Sequence, residues 1–452
     1  MSASTSAATS LKPVLHQRVT CHNRYHLKWQ MVLMIWNLEA FKTLLSNFFF
    51  ILYKKQRKEF SPSSIHTVPS RLRDLNPRAF DPRFFSIGPL HRMDENLLAF
   101  EEQKPIFLHD LLSGSSSPEQ TLETCVEKVN ASIDRIRACY EDGMKSYSDD
   151  EVARMMVMDA CFILEFSYKL SVGDFDENML LEPAMINDLL LIENQLPFFV
   201  LQHMFDCNCS RFKLAATSLN QLILPLVQVG NIFTSNLTIE NASEAHSHIL
   251  GLMHKCYQPS HTPSHVTGSE LDRAGVNFKP HHHDPQWSLA IELESPPRFI
   301  WPWAWAKPTL RMPVLLIDDN TELIFRNLIA YEQLSPQVDH YITSYAIAMD
   351  MLIDNQDDIA ILVESKVLLN VIGSKEEAAN MINDICKYVS CKKFFYWGQW
   401  QKLDTYYNGY WPKNIAWLRR TYFSSPWNFI ALLANPKSAG CDSDGRLLLL
   451  NG

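Results

Sequence analysis

The sequence predicts a mainly α-helical α+β protein, with a helical body and a small antiparallel sheet in its middle region. Glycine accounts for only 14 of the 452 residues, about half the usual ~7%, which disfavours folds that need many glycine turns. Two stretches, 151–170 and 184–206, are almost continuously apolar, as buried core helices are. Between residues 255 and 315 this pattern is lost and Pro, His and Ser become frequent, which indicates loops and short strands.

The first 60 residues differ in charge from the rest of the chain. They carry nine Lys/Arg and two Asp/Glu, a net +7, so a total of −9 leaves −16 on the remainder. An acidic body disfavours nucleic acid as a partner, because such binding depends on neutralising phosphates. We therefore predict a basic leader over 1–60, a single domain over 61–434 and a polar tail over 435–452. Within that domain the patterns predict a helical part at 97–255, a sheet with loops at 256–318 and a second helical part at 319–434.

An apolar segment at 31–53 is the candidate for a membrane contact. Of its 23 residues 17 are apolar, and the length is sufficient to cross a bilayer. Glu39 and Lys42 lie near its middle, and each central charge costs ~2.5–3.5 kcal/mol, which offsets the apolar gain. The basic side chains at 54–58 add attraction to anionic lipid of ~1 kcal/mol each. The free energy of inserting this segment into a bilayer is therefore close to zero. Residues 31–58 can contact a membrane, but without a fixed orientation.

The body opens with an extended stretch in which prolines recur over residues 65–89, and helical patterns follow from about Leu97. The stretch 151–170 predicts one core helix. The stretch 184–206 predicts two helices joined through Glu193-Asn194-Gln195, because the residue before Pro197 is driven out of the helical region.

Short strands and well-marked helix starts are expected further along the chain. Residues 274–278, 288–293 and 310–317 have alternating or β-branched character and predict the strands of the sheet. Polar residues followed three positions later by an acidic residue predict helix N-caps. These pairs are Asp319 with Glu322, Asn355 with Asp358, and Ser374 with Glu377.

Motifs of catalysis and cofactor binding are absent from the sequence. It has no Gly-x-Ser-x-Gly elbow, no Walker loop and no His-Glu-x-x-His zinc motif, so we predict no catalytic residue and no cofactor. The run from His281 to His283 offers imidazoles, which are common metal ligands. Consecutive loop histidines rarely point at one ion, so we predict no metal site. The tryptophans at 301, 303 and 305 predict a core or interface platform rather than a sugar site.

Several carboxylates lie within apolar helical stretches and are the remaining candidates for chemistry. Paired buried carboxylates can perform acid–base catalysis. Asp159 and Glu165, however, are six residues apart, about 120° around a helix, so they do not converge. We therefore favour structural roles at helix ends or beside basic side chains. The alternative is an enzyme that uses Asp159, Asp188 and Glu193.

The order of several motifs resembles the plant family called domain of unknown function 247, the UPF0481-like proteins. The matching blocks begin with Ser86-Ile87-Gly88-Pro89-Leu90-His91 and Glu101-Glu102-Gln103-Lys104, continue with 155–165, and include the most diagnostic one, 187–199. Later blocks bring the resemblance to roughly 65–434. The motif residues to which we assign structural roles are Ser86, Gly88, Pro89, Glu102, Lys104, Asp159, Phe162, Asp188, Glu193, Asn194, Gln195, Pro197, Gly275, Phe278, Asn327, Glu332, Pro426 and Trp427.

The resemblance implies little chemistry, since the family has no established catalytic residues. Its members typically end in a hydrophobic anchor helix, and some grass members look like pollen-side determinants of self-incompatibility, which implies protein partners. This chain departs from that pattern in its leader, in an apparent insertion at 294–308, and after Ala434, where Asn435-Pro436-Lys437 ends an apolar run too short to span a bilayer. We expect a non-enzymatic protein-recognition module. The resemblance implies membrane association, here through 31–58, and a cytoplasmic location is the alternative.

Overall fold

The computed structural model describes residues 63–142, 144–174, 183–239, 246–259, 276–281, 287–294, 308–408, 439–441 and 447–449. All of these belong to one compact unit that spans residues 62–452. Several predicted features lie outside the described residues: the leader with its apolar segment at 31–53, Gly275, His282 and His283, the tryptophans at 301–305, and Pro426 with Trp427.

The prediction of a mainly helical α+β fold is confirmed. Short 3-10 turns at Pro77–Ala79 and Glu95–Leu97 lie between the first helices. The helices of the first half are α1 (Ser70–Arg73), α2 (Leu98–Glu101), α3 (Lys104–Ser113), α4 (Pro118–Asn130), α5 (Ile133–Cys139), α6 (Asp149–Val172), α7 (Pro183–Asp188), α8 (Phe198–Cys207), α9 (Cys209–Phe212), α10 (Leu219–Val229) and α11 (Ile249–Cys256).

Helix α6 is the central core helix predicted at 151–170. A capping box starts it, in which the Ser148 and Glu151 side chains each bind the other's backbone N–H, and Gly173 ends it in the left-handed conformation. Its middle turns are buried, and it packs against α3, α4, α8 and α10. Because neighbouring helices cover α6 on several sides, apolar residues occupy nearly all of its faces.

The two helices predicted within 184–206 are α7 and α8, and residues 189–197, which we call the join, connect them. The join is longer than the three residues predicted, because α7 already ends at Asp188. The side-chain amides of Asn194 and Gln195 bond backbone carbonyls at that end, with Asn194 donating to Asp188 O (2.9 Å) and Gln195 to Leu189 O (2.7 Å). Side chains thus satisfy groups that a helix end leaves open. Pro197 is the N-cap residue of α8.

The middle region forms two small sheets rather than one antiparallel sheet. Strand β3 (Thr309–Met312) lies between β1 (Asn277–Pro280), which is parallel to it, and β2 (Glu292–Glu294), which is antiparallel. The purely antiparallel arrangement was therefore wrong. Eleven residues (281–291) separate β1 from β2 and fourteen (295–308) separate β2 from β3. Neither separation is that of the two-residue turn that would impose antiparallel pairing on neighbours in the chain. Residues 287–290 form a turn, which delays the predicted strand at 288–293 until Glu292.

The predicted strand at 310–317 is divided into β3 and β4 (Leu315–Ile317). Pro313 lies between them and has no backbone N–H to donate to a strand ladder. Strand β4 pairs in parallel with β5 (Leu368–Asn370), which comes from the C-terminal half of the chain. The strands β6 (Ala439–Cys441) and β7 (Leu447–Leu449) pair antiparallel within the predicted polar tail.

Helices return after β4, and most of the predicted caps are correct. The Asn355–Asp358 capping box is confirmed, and Ser374 Oγ accepts a hydrogen bond from Glu377 N (3.1 Å). The Asp319 cap was wrong, because Asp318 folds the preceding turn by accepting from Asn320 N (3.0 Å), the short-range bond that Asp favours. The helices are α12 (Thr321–Leu334), α13 (Tyr341–Leu352), α14 (Gln356–Glu364), α15 (Lys375–Ile385) and α16 (Trp397–Asn408). In the part of the chain that the structure describes, no helix combines the length and apolarity that crossing a membrane requires.

A buried histidine attaches the beginning of the described chain to α11. His248 Nδ1 accepts from Gly251 N (3.1 Å), so Nε2 carries the proton and donates to Ser64 O (3.1 Å). This arrangement requires a neutral ring, because a proton on Nδ1 would face the N–H of Gly251. Burial lowers the pKa of His248 to about 3, and the nearby histidines at 66, 246 and 254 act in the same direction.

We expect His248 to make the fold sensitive to acid. Its pKa is about 3 when folded and 6.5 when unfolded, so between these values the unfolded state binds more protons. Stability is therefore full above pH 6.5 and falls by about 1.4 kcal/mol per pH unit below it. In denaturant unfolding, the stability advantage of the wild type over His248→Asn should shrink by about 2 kcal/mol between pH 6.5 and 5.

The comparison with His248→Asn isolates the effect of the His248 titration on stability. Burial raises the pKa of Asp188 to about 6, which opposes the trend between pH 6 and 3.8, but this contribution is present in both proteins and cancels. An advantage of the wild type that does not change with pH would contradict a neutral buried His248.

Candidate functional site

The motif residues nearest the start of the domain converge on one buried lysine. Lys104 has no exposed surface. Its Nζ donates to Asp159 Oδ1 (2.5 Å), to Ser86 O (2.6 Å) and to Glu101 Oε1 (2.6 Å). An ammonium group has three N–H donors, so this lysine is fully satisfied and has none left for a ligand.

Asp159 is also fully buried and fully bonded. Its Oδ2 accepts from Gly88 N (2.9 Å), and Arg92 lies 3.1 Å from its Oδ1. Arg92 also pairs with the second oxygen of Glu101 at 2.7 Å. Two cations thus balance two carboxylates, as buried charges require if they are not to destabilise the fold. We call Ser86, Gly88, Arg92, Glu101, Lys104 and Asp159 the Lys104 cluster.

The second carboxylate of the Lys104 cluster, beside that of Asp159, belongs to Glu101. The residue selected from the sequence was Glu102 instead. Glu102 is exposed, whereas Glu101 is half-buried and bonds both Lys104 and the Ser86 hydroxyl (3.0 Å). The sequence signal that could have identified Glu101 is its three-residue spacing from Lys104, because side chains three apart can lie on the same face.

Gly88 is required where the Lys104 cluster meets the join. Its φ is +71°, which L side chains rarely adopt. A Cβ at this position would lie 2.9 Å from the Tyr140 hydroxyl and 3.0 Å from Gln195 O. Tyr140 donates to that same carbonyl at 3.0 Å, so the space is occupied by a bonded pair that cannot retreat freely.

We expect Gly88→Ala to destabilise the protein more than Gly373→Ala does. Gly373 also has a positive φ, +88°, but its added Cβ would meet no atom within 4 Å. Both variants bear backbone strain of about 1–2 kcal/mol, and overpacking adds about 1–3 kcal/mol at Gly88 alone. Denaturant unfolding of the two variants measures the difference, and equal losses would show that the contact with Tyr140 is unimportant.

Asp188 binds the loop that leads into Gly88. Its carboxylate accepts from the backbone N–H groups of Arg83 (3.0 Å), Phe84 (2.7 Å) and Phe85 (3.2 Å). Burial nevertheless outweighs these bonds and raises the pKa of Asp188 to about 6. Among the described residues these backbone groups supply the hydrogen bonds of the Asp188 carboxylate, which therefore positions the main chain of residues 83–85.

Glu193 connects the beginning of the described chain to the join. It accepts from Val68 N (2.6 Å), pairs with Arg73, and lies 3.3 Å from His91 Nε2. Burial would raise the pKa of Glu193, but the bonds from His91, Arg73 and Val68 outweigh it and lower the pKa. Conversely, burial would lower the pKa of His91, and its pairing with Glu193 and with Asp94 (2.8 Å) raises it.

Asn194 and Gln195 connect the join to two further segments. Asn194 Oδ1 accepts from Ile87 N (2.5 Å), and its amide donates to Phe85 O (3.1 Å). Gln195 Oε1 accepts from Leu250 N in α11 (3.2 Å). Both side chains are almost completely buried, so each of these bonds is made without competition from water.

Asn327 in α12 fastens the second half of the domain to the join. Its Oδ1 accepts from Ile192 N (2.9 Å), and its Nδ2 donates to Ala79 O (2.7 Å). A second amide contact joins Asn187 to Asn320 at 2.7 Å.

Glu332 plays a similar part between the helices of the second half. Its two oxygens accept from Ile342 N and Thr343 N at 2.8 Å each, at the start of α13, and from His254 Nε2 at 2.8 Å. A carboxylate at a helix start stabilises the open N–H groups there.

The apolar motif residues complete the same framework. Phe162 packs its ring against Phe85 (4.8 Å between centroids), Phe107 (4.9 Å) and Phe100 (5.2 Å). Phe278 is half-buried in β1, opposite Leu310. Pro89 O accepts from the Tyr147 hydroxyl at 3.4 Å.

The motif carboxylates thus do not share one open site. Asp159 and Glu193 each bond basic side chains and a backbone N–H group. Asp188 bonds backbone N–H groups, and Glu332 bonds backbone N–H groups and His254. The basic partners, Arg73, His91 and Arg92, were not identified from the sequence, because nothing local links them to carboxylates far along the chain. Within the described ranges no group of three or more His, Cys, Asp or Glu residues is arranged to hold a metal ion. His281 Nε2 lies 2.8 Å from Ala290 O.

Comparison with known proteins agrees with this set of motifs. The chain is 26% identical to the UPF0481 protein At3g47200 of Arabidopsis thaliana, with 82% of each chain covered. It is 22% identical to the putative UPF0481 protein At3g02645 of the same plant, over 82% of this chain and 87% of the relative. No solved structure matches the chain. Residues 65–436 match DUF247, described as "Plant protein of unknown function". This match covers all the described residues that form the Lys104 cluster and the join, and the chain therefore belongs to the DUF247 family of plant proteins.

Proposed function

We propose that this plant protein is a non-enzymatic recognition module that binds another protein. The observation that carries the proposal is the pairing of every buried motif carboxylate. Asp159, Asp188 and Glu193 each bond backbone N–H groups or basic side chains of the same chain. Side chains whose polar groups are bonded within the chain stabilise a rigid framework. Loops on such a framework are available for binding.

The competing proposal is an enzyme that uses these carboxylates. Its specific support is Asp188, whose pKa is raised to about 6 by burial, in the range useful for a general base. Three backbone N–H groups occupy that carboxylate, however, and a substrate would have to displace them. We therefore favour binding over catalysis.

An affinity isolation followed by reconstitution tests the proposal. The full chain, expressed with a tag in plant tissue, should retain a protein that also binds the purified chain directly at a fixed stoichiometry. Pollen is the first tissue to examine, because resemblance to self-incompatibility determinants suggests recognition there. Failure of every retained protein to bind the purified chain would overturn the proposal. So would turnover of a small molecule that Glu193→Gln abolishes while the unfolding transition is preserved.

We further propose that membrane association of this protein depends on residues 1–60. Their apolar stretch at 31–53 and the basic residues at 54–58 supply burial and lipid attraction that the acidic body does not. Deletion of 1–60 should move the protein from carbonate-washed membranes into the soluble fraction. The matched control, deletion of 435–452, should leave the distribution unchanged. Retention of the 1–60 deletion in washed membranes would contradict this role.

A further inference from the structure

Two basic side chains lie near the aromatic residue Phe199 of α8. The Cζ atom of Arg135, in α5, lies 3.8 Å from the centre of the Phe199 ring. On α8 itself, Phe199 and His203 are four residues apart and share a face, with 5.7 Å between their ring centres. Lys128 belongs to α4, which packs against α8, and it acts electrostatically on His203. We call Lys128, Arg135, Phe199 and His203 the Arg135 patch.

No ion pair joins either cation of the patch to another described residue. Arg137, two positions after Arg135, pairs with Asp149 at 2.7 Å and donates to two backbone carbonyls. Arg135 is exposed, and its guanidinium lies over the face of Phe199, where a cation–π attraction holds it. The N–H donors of Arg135 are therefore not used by any described residue and can bind an anion.

The electrostatic effect on His203 shows that the charge of the patch is not balanced. Burial lowers the pKa of His203 most, and Lys128 and Arg135 lower it further. Asp206 has the smallest effect and acts in the opposite direction, and its Oδ1 already accepts from the Gln202 amide at 2.7 Å. Two cations thus act on the imidazole, and a single described carboxylate opposes them.

The charge of the remaining chain limits which anions can reach the patch. The whole chain carries −9 and residues 1–60 carry +7, which leaves −16 on the remainder. A bilayer or a nucleic acid presents negative charge over a wide area, which an acidic body repels. A short acidic segment, in contrast, brings its charge only to the surface that it contacts. The like charges of Lys128 and Arg135 also repel each other, and carboxylates bound beside them relieve that repulsion.

We propose that the Arg135 patch binds an acidic segment of a partner protein through aspartate or glutamate side chains. One carboxylate would pair with the Arg135 guanidinium, whose planar fork matches two carboxylate oxygens, while Arg135 remains stacked on Phe199. A second carboxylate of the same segment would pair with Lys128. This inference rests on the proposed binding function and specifies the surface and the chemistry of the partner.

Carbodiimide cross-linking tests the patch at a single position. The probe is an N-acetylated hexaglutamate peptide, mixed with the full chain and a water-soluble carbodiimide, which joins a carboxylate to a neighbouring lysine as an amide. Mass spectrometry of the protein fragments should find the peptide attached to Lys128. The position of the amide distinguishes this site from lysines of the basic leader, which is present in every variant.

Arg135→Gln should raise the peptide concentration required for half-maximal labelling of Lys128 roughly two- to fivefold, because one exposed ion pair is lost. Arg78→Gln is the matched control, since Arg78 is also exposed and forms no ion pair with a described residue. It lies in the turn Pro77–Ala79, which packs against α12, and its variant should be labelled like the wild type. Arg135→Lys keeps the charge and should recover most of the labelling.

Other results would overturn the inference. These include absence of the amide at Lys128 in the wild type, or equal labelling of Arg135→Gln and Arg78→Gln. Loss of the labelling in inorganic phosphate at constant ionic strength would mean that the patch binds a compact anion rather than an acidic segment. Vesicles containing phosphatidylserine that bind Arg135→Gln more weakly than Arg78→Gln would assign the patch to a membrane.

The outcomes separate this inference from the general function. If a protein partner isolated with the full chain binds Arg135→Gln and Arg78→Gln equally well, the assignment of the patch fails and the recognition function stands. If no isolated protein binds but the labelling of Lys128 distinguishes the two variants, the patch is confirmed as a site for acidic peptides and the proposed function fails.

Discussion

Lys104→Met should destabilise the protein by about 3–5 kcal/mol, the cost of leaving a buried charge without its partner. Methionine fills much of the lysine's volume but leaves the Asp159 carboxylate with one fewer cation in a fully buried position. It also leaves Ser86 O without its donor. Denaturant unfolding measured by circular dichroism gives the loss directly.

Lys169→Met is the matched control for this prediction. Lys169 pairs with Asp110 at 2.6 Å, but both side chains are partly exposed. Pairs of this kind contribute about 0–1 kcal/mol, so the control should lose no more than that. A loss at Lys104 no larger than at Lys169 would contradict the role of the buried cluster.

A double variant tests whether Lys104 acts through Asp159. If the lysine stabilises the fold mainly by compensating that carboxylate, Lys104→Met with Asp159→Asn should lose less than the sum of the two single variants. Residues in one hydrogen-bonded network typically show such coupling, at about 0.5–3 kcal/mol. Additive losses would mean that the lysine stabilises the fold through Ser86 and Glu101 instead.

Features that depend on neighbours in sequence could be predicted. The core helix α6 follows from its apolar run, and the cap at Asn355 from an acidic residue three positions later. The break before Pro197 follows from the steric restriction on the preceding residue. The failure at this level came from competition between adjacent groups. Asp318 bonds the turn that precedes the helix that Asp319 was expected to cap.

Partners far apart in the sequence could not be predicted in this way. Asp159 was expected to be paired, but its partner Lys104 lies 55 residues away and Arg92 lies 67 away. Asn327 donates to a carbonyl 248 residues earlier. Such pairs exist only after the helices have packed, and one sequence carries no signal that links them. The direction of β1 relative to β3 depends in the same way on packing and not on local pattern.

Asn194→Ala should destabilise the protein by at least about 3 kcal/mol, because it leaves three buried backbone groups without partners. These are Ile87 N, Phe85 O and Asp188 O, which Asn194 bonds at 2.5, 3.1 and 2.9 Å. Each unsatisfied buried group costs about 1–3 kcal/mol. The measurement is again the free energy of unfolding in denaturant.

Two variants show whether this loss comes from the position of Asn194. Asn355→Ala removes an exposed N-cap and should cost only about 1 kcal/mol. Asn194→Asp keeps an oxygen for Ile87 N but removes both donors, so it should not restore stability. If Asn194→Ala lost no more stability than Asn355→Ala, the hydrogen bonds of Asn194 would not be important for the stability of the join. A loss several times larger would instead show that the first half of the domain depends on one amide side chain, which bonds both the loop before Gly88 and the end of α7.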